Sequence, residues 1–277
     1  MARLSEPSRG ISISDGDAER AFHDALAAAG ISQGREWAER YVDYEWDRSR
    51  HFFAALLGDD LGGRRALEVG CYVGGTAIVL AALGAAVVGI DAEGRWLGPA
   101  GLNARRYGLA HRVELAHVPD LGSLPFASES FELTTCNSVL EYLDDRVRTR
   151  LFRELDRALV PGGVLIVLGT SNRIWPRENH TARWFVNYLP QRVAFPRRPG
   201  AWCGRALWPW QLTQAFAGYR DLLGEGGGAV LLSAKERMRV ARWKLPLLRL
   251  AATGARVVGV PLGALGPTIS MALRKPG

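Results

Sequence analysis

Residues 66–94 constrain the fold of this chain more than any other stretch. A short apolar run at 66–69 precedes a cluster of glycines, which is typical of a buried strand that ends in a tight turn. The small and aliphatic residues of 77–83 are long enough for two helical turns, and a glycine ends them. A second apolar run, 86–90, is followed by Asp91. The order strand, glycine turn, helix, strand, acid predicts a parallel α/β sheet.

This arrangement favours the binding of a nucleoside-containing cofactor. Glycines allow positive φ and a close approach of a ligand to the backbone, and the following helix N-terminus favours a carboxylate or phosphate. An acid at the end of the second strand can accept hydrogen bonds from ribose hydroxyls. The dinucleotide pattern G-x-G-x-x-G fails because Tyr72 stands at the second glycine place, and no G-x-x-x-x-G-K-[ST] is present.

The glycine turn resembles the first motif of class I S-adenosylmethionine-dependent methyltransferases, acid-x-G-x-G-x-G. Glu68, Gly70 and Gly74 occupy three of its four places, and Tyr72 takes the place of the middle glycine. This departure is expected to reshape the pocket near the methionine end of the cofactor.

A second stretch is similar to the same family, in which D-x-x-x-L-P-F precedes S-F-D-x-V and then V-L-E-H-L. The matching positions are Asp120, 124–126, 130–132 and 139–143. Glu132 replaces the common Asp, and Tyr142 replaces a histidine that is often found there. A family histidine near the active site is therefore missing.

The resemblance implies S-adenosylmethionine as the cofactor. The residues expected to bind it are Glu68, Gly70, Cys71, Tyr72, Gly74, Asp91, Asp120, Leu121 and Asn137. By this resemblance Asp91 would hold the ribose hydroxyls, and Asp120 the adenine amino group. Glu68 would fix the glycine loop and the cofactor's amino group, and Asn137 would face the reacting methyl group.

The pattern of the whole chain predicts a doubly wound, mainly parallel seven-stranded sheet with a Rossmann-like methyltransferase fold. We expect an N-terminal helical lid over 1–60 and a methyltransferase domain over 61–277, with insertions at 171–208, after strand five, and at 234–266. The predicted helices are 14–29, 35–57, 77–83, 96–107, 144–159 and 208–218. The predicted strands are 66–69, 86–90, 112–116, 131–136, 164–168, 229–233 and 268–273, and the resemblance implies that the last one pairs antiparallel.

The predicted catalytic and acceptor-binding residues lie outside the motifs. An oxygen nucleophile needs a base. His180, in the insertion after strand five, is the first candidate, and His51 is the second. Tyr41 and Tyr44 share one face of the second helix and, with Trp184, are candidates for binding the acceptor. The alternative is that the helix aromatics only dock the helix on the domain.

Composition limits the partners. The net charge is +7 and the pI about 9.7, but the arginines are scattered, so nucleic acid is not favoured. Three cysteines without metal-ligand or disulfide spacing indicate a reduced, cytoplasmic setting and no metal site. The start of the sequence has no apolar core typical of a signal peptide, and no spanning helix is expected. The basic amphipathic stretch 235–250 could contact an anionic membrane peripherally.

These features predict O-methylation of a small molecule or glycan hydroxyl. The absence of N-P-P-Y after strand four argues against amino-group methylation. The alternative is a membrane-associated methyltransferase of a lipid-linked or quinone-like acceptor. A nicotinamide-dependent oxidoreductase and a non-catalytic binding protein are the remote alternatives. The sequence does not name the acceptor or the oligomeric state.

Overall fold

A computed structural model describes residues 11–30, 35–194, 204–225, 228–238, 243, 246–247, 249–250, 253–254 and 261–277. Its sheet has seven strands in the order β3-β2-β1-β4-β5-β7-β6. They are β1 (Arg65–Val69), β2 (Ala86–Asp91), β3 (Val113–His117), β4 (Phe131–Cys136), β5 (Leu159–Ser171), β6 (Arg220–Asp221) and β7 (Thr268–Arg274). β2 pairs in parallel with β1 and β3, whereas β7 is antiparallel to β5 and β6. The predicted mainly parallel seven-stranded sheet is confirmed.

Within the described ranges the chain forms the α-helices α1 (Gly16–Ala28), α2 (Arg35–Glu39), α3 (Tyr41–Leu57), α4 (Gly75–Ala82), α5 (Leu97–Arg106), α6 (Asp145–Ala158), α7 (Gln191–Ala194), α8 (Pro209–Ala215) and α9 (Ala229–Arg237). Among these residues, no helix combines the length and apolar character needed to cross a lipid bilayer. The chain divides into two compact units. One runs to Leu121 and includes 131–133, and the other comprises 122–130 and the chain from Thr134 onward.

The first unit contains β1 to β3 and α1 to α5. α1 begins as predicted, because the Asp15 side chain accepts hydrogen bonds from the backbone N–H groups of Asp17 and Ala18. Phe22 and Leu26 of α1 are fully buried. α4 is buried on nearly every side, which explains why its residues are small or aliphatic all round rather than on one stripe.

The predicted single helix over 35–57 is wrong, because α2 and α3 are separated at Arg40. Arg40 has φ −104° and ψ 11°, outside the helical region. The two helices bury side chains in different clusters. Ala38 of α2 packs with Phe22, whereas Val42 of α3 packs with Ile78 of α4. The break allows each helix to follow its own cluster.

The second unit contains the main departures from the predicted strands. The predicted strand at 229–233 is wrong, because these residues begin α9. Gly228 at φ 82° caps this helix, and Leu231 and Ala234 are buried at helical i, i+3 spacing. A short apolar run cannot distinguish a strand from a buried helix by periodicity alone, and Ala, Leu, Lys and Glu here favour the helix.

β5 is longer than the predicted 164–168, and the Pro161-Gly162-Gly163 sequence, which is typical of a turn, lies within its bounds. The backbone N–H of Gly162 donates to the carbonyl of Pro276 at 3.3 Å, and that of Lys275 donates to Gly163 at 2.9 Å. These bonds extend the pairing of β5 with the C-terminal strand through the turn. Parts of the basic stretch 235–250, at 239–242, 244–245 and 248, lie outside the described residues.

Candidate functional site

The glycine turn after β1 is built from left-handed residues. Gly70, Tyr72 and Gly74 have φ of 73°, 49° and 79°. The N–H groups of Gly70 and Cys71 both donate to the carbonyl of Ile90, at 2.8 and 2.9 Å, which ties the turn to β2. Tyr72 therefore stands where the backbone itself requires positive φ, a conformation in which only glycine is unstrained.

Asp91, at the end of β2, is held beside this turn. Its Oδ2 accepts from the N–H of Tyr72 and its Oδ1 from the N–H of Glu93, both at 2.9 Å. Burial raises the pKa of the Asp91 carboxyl above its ordinary value, although these N–H donors oppose the shift. The carboxylate is oriented by backbone, and its remaining lone pairs can accept from ribose hydroxyls.

Five aromatic rings form a cluster around the turn, which we call the aromatic cluster: Trp37, Tyr41, Tyr44, Tyr72 and Trp96. The Tyr72 ring meets Trp96 edge-on at 4.9 Å and Tyr41 at 5.9 Å between centroids. Trp37 lies 4.5 Å from Tyr44, and Tyr41 stacks on Tyr44 at 6.3 Å. The two tyrosines predicted to bind the acceptor thus lie beside the cofactor turn.

Gly75 is a residue of the site that sequence reasoning did not single out. A Cβ on Gly75 would lie 2.4 Å from Cδ1 of Tyr41, which is well inside contact distance. Glycine is therefore required for α3 to cover the first turn of α4. The sequence indicates this close approach of Tyr41 to the α4 backbone only by having a second glycine directly after Gly74.

A pair of buried carboxylates, Glu45 of α3 and Glu68 of β1, lies beneath Tyr41. Glu68 accepts from the hydroxyl of Thr76 and the N–H of Ala77, while its Oε2 is buried with no hydrogen-bond partner in the described part of the chain. Glu45 accepts from the hydroxyls of Ser49 and Tyr41, and it also lies at hydrogen-bond distance from the Thr76 hydroxyl oxygen. Burial raises the pKa of both carboxyls. At Glu68 the neighbouring charge of Glu45 raises the pKa further.

The remaining predicted cofactor residues of this unit have simpler surroundings. Asp120 is exposed in the loop after β3, and the Leu121 side chain is buried. The Cys71 side chain is buried against Gly89 of β2, so only its backbone faces the turn, and burial raises the pKa of its thiol. His51 lies half-buried on α3.

These groups fit a ligand that carries ribose hydroxyls and a positive charge. The glycines leave room at the backbone, and the carboxylate of Asp91 offers oriented hydrogen-bond acceptors. Oε2 of Glu68 is buried without a partner in the described residues, so a ligand with a hydrogen-bond donor would satisfy it and an apolar ligand would not. The class defined by this fold and site is an α/β protein that binds a nucleoside cofactor.

In the second unit, Asn137 follows β4 and supports β5. Its Oδ1 accepts from the N–H of Leu168 at 3.1 Å, next to an irregularity in the β5–β7 register. Ser138 has φ 52°, and a Cβ on Gly169 would lie 2.6 Å from the Ser138 hydroxyl. That Asn137 faces the reacting methyl group stays a prediction.

His180 also lies in the second unit, where it contacts Glu141. Its Nε2 lies 3.5 Å from Oε1 of Glu141, a side chain that is fully buried and also accepts from the N–H of Ser171 at 3.3 Å. The His180 ring meets Tyr142 edge-on at 5.5 Å. Burial and the nearby carboxylates Glu141 and Glu178 raise the pKa of Tyr142 to about 12, so its hydroxyl is neutral at physiological pH. The insertion thus places an imidazole beside the position where the family motif has its histidine.

The third predicted acceptor residue, Trp184, is 61% exposed. Its backbone forms an isolated antiparallel bridge with Arg177, and its ring lies 6.0 Å from Phe185, which is equally exposed. The insertion therefore presents aromatic rings to solvent rather than packing them in its core.

Comparison with known proteins finds similarity to methyltransferases over the central part of the chain. Residues 67–167 match the family model of a methyltransferase domain. The ubiquinone biosynthesis O-methyltransferase of Psychrobacter arcticus is 31% identical over 137 residues, which cover 50% of this chain and 51% of the relative. The chain spans about half the length of the curated relatives it matches. Residues 67–167 are therefore similar to the class I S-adenosylmethionine-dependent methyltransferases, whose cofactor is S-adenosylmethionine.

Solved structures support the fold. A methyltransferase from Mesorhizobium loti has a TM-score of 0.52 and 19% identity, and the match covers 81% of this chain and 95% of that one. The [4+2]-cyclase SpnF has a TM-score of 0.50 and 21% identity, covering 96% and 99%. Because one of these neighbours is described as a cyclase, the fold alone does not determine the reaction.

Proposed function

We propose that this protein transfers a methyl group from S-adenosylmethionine to a hydroxyl of a small molecule or glycan, with His180 as the general base. The observation that carries the proposal is the contact of His180 with the buried Glu141. A base whose ring is oriented by a carboxylate is a recurring arrangement for removing a proton from oxygen.

The cofactor supplies a methyl group on a sulfonium, which is a good leaving group. The protein's task is then alignment, which can contribute about 7–11 kcal/mol, and removal of the acceptor's proton. With Nε2–H of His180 directed at Glu141, Nδ1 would accept that proton as the oxygen–carbon bond forms and the sulfur–carbon bond breaks. Glu141 would act as a positioning residue that stabilises the resulting imidazolium.

The test is methyl transfer from labelled cofactor to a panel of phenolic, sugar and natural-product hydroxyls. We expect His180→Gly to lower kcat by roughly 10²- to 10⁴-fold, with unchanged cofactor affinity and partial rescue by added imidazole. Adding Glu141→Gln should raise the imidazole concentration needed for half-maximal rescue. His111→Gln, an exposed histidine in the first unit, is the matched control. Full activity in His180→Gly would refute the assignment of the base.

A second candidate is methylation of a lipid-linked or quinone-like acceptor at a membrane surface. It is favoured by the exposed rings of the insertion, where Phe185 lies 6.0 Å from Trp184 and 6.4 Å from Tyr188. Exposed aromatics beside arginines such as Arg183 suit an anionic interface. In a flotation assay, the unmodified protein should float with anionic vesicles, and the double variant Trp184→Ala/Phe185→Ala should not. If neither protein floats with the vesicles, this candidate is excluded.

A further inference from the structure

The carboxylate pair of Glu45 and Glu68 has no compensating positive charge in the described residues. The groups that act on the two carboxyls are hydroxyls, one backbone N–H and other acids, and none is a cation. The guanidinium of Arg48, one turn further along α3, lies 4.6 Å over the ring of Tyr44 instead. Burying ionised groups without a counter-charge is costly, so the pair holds protons or awaits a cation.

The position of the pair indicates which cation it receives. Glu68 is bonded at the first turn of α4, directly after the glycine turn, through Thr76 and Ala77. Glu45 reaches the same Thr76 hydroxyl from α3. The unpartnered Oε2 of Glu68 marks the place where an acceptor is still available. A primary ammonium, with three donors, could satisfy both carboxylates at once.

We propose that Glu45 is a cofactor-binding residue, and that Glu45 and Glu68 together receive the α-ammonium group of S-adenosylmethionine. Glu45 lies on the predicted N-terminal lid, outside the glycine motif. This inference rests on the family's cofactor and is independent of the acceptor and of His180.

Cofactor binding is then linked to proton release. In the free protein the raised pKa of the two carboxyls favours their protonated forms, and a bound ammonium favours the ionised forms. Affinity should therefore rise with pH. The other titratable groups facing the pair are Tyr41 from α3, Cys71 from the turn and Asp91 from β2. Burial raises the pKa of the Tyr41 hydroxyl and of the Cys71 thiol, so both groups stay neutral over the range that matters.

The experiment is calorimetry with S-adenosylmethionine near neutral pH, in buffers of different ionisation enthalpy. We expect net proton release from the unmodified protein, less release from Glu45→Gln, and roughly 10- to 150-fold weaker binding by that variant. Free Glu45→Gln should melt no lower than the unmodified protein, because a neutral amide of the same shape replaces a buried carboxyl that has no counter-charge. A merely structural Glu45 would instead lower the melting temperature together with the affinity.

Glu36→Gln, the same change at an exposed site on α2, is the control and should alter neither quantity. S-adenosylhomocysteine keeps the ammonium but lacks the sulfonium charge, so its affinity should fall equally in Glu45→Gln. Unchanged affinity for S-adenosylhomocysteine would overturn the assignment to the ammonium. Affinity within twofold of the unmodified protein for both ligands, or no proton release, would overturn the role of the pair. Because no acceptor is present, these results do not depend on the proposed methylation.

Discussion

Replacing Tyr72 with glycine and with alanine separates what its backbone does from what its ring does. At φ 49° a side chain costs about 1–2 kcal/mol that glycine does not incur. Glycine in turn loses about 0.5–1 kcal/mol through the greater freedom of the unfolded chain. Both substitutions remove the ring from its contacts with Trp96 and Tyr41, and such aromatic pairs contribute about 0.5–1.5 kcal/mol each.

The lost pairs alone amount to about 1–3 kcal/mol, which exceeds the strain relieved by glycine net of its entropy, about 0–1.5 kcal/mol. We therefore expect Tyr72→Gly to lower the free energy of unfolding by about 1–2 kcal/mol. Tyr72→Ala should be less stable still, by up to about 1.5 kcal/mol, which reverses the usual order of alanine and glycine.

Urea unfolding of the three proteins, with and without S-adenosylmethionine, measures both effects. Cofactor affinity should change less than about threefold in either variant, because the N–H that orients Asp91 belongs to the backbone and is kept. Tyr72→Phe, which keeps the ring and the strain, is the control. An alanine variant as stable as the glycine variant would refute the strain, and a tenfold loss of affinity would show that the ring contacts the cofactor.

Three further predictions follow from the site. Asp91→Ala should weaken S-adenosylmethionine binding by about 1.5–3 kcal/mol in calorimetry, since a charge-assisted acceptor is lost. NAD should show no measurable binding to either protein. Unchanged affinity of Asp91→Ala for S-adenosylmethionine would exclude Asp91 from the site. Gly75→Ala should destabilise the protein by about 1–3 kcal/mol through overlap with Tyr41. The added Tyr41→Ala should reduce that cost, and strict additivity would contradict the overlap. Because burial raises the pKa of Glu45 and Glu68, their contribution to stability is present below the unfolded value of 4.5 and is lost as pH rises through the folded values. Melting temperatures against pH should therefore fall less steeply in Glu45→Gln, and parallel curves would count against this linkage.

Much of the fold was predictable where the sequence carries a local signal. β4 has the predicted bounds, and α6 differs by one residue at each end, because Asp144 caps it and one apolar stripe runs along it. The failures lie where tertiary context decides. The apolar run at 229–233 has no period of its own, and the break at Arg40 depends on which clusters Ala38 and Val42 join.

The candidate site divides in the same way. The place of Asp91 beside the glycine turn was predictable, because the parallel strands β1 and β2 end at the same edge of the sheet. The proximity of Glu45 to Glu68 was not predictable, because nothing in the sequence indicates that a glutamate on a helix lies beside a glutamate on a later strand. His180 was proposed from its place in the insertion, but its partner Glu141 lay within a motif and showed its contact only in three dimensions.

The order of the strands also bears on how the chain is made. β7 lies between β5 and β6 in the sheet, although both precede it in the sequence. Until residues 268–274 have left the ribosome, β5 has no partner on that side, and its unpaired N–H and C=O groups are open to strands of other chains. A chaperone that shields exposed edges should therefore bind nascent chains that end between β6 and β7, and release those that include β7.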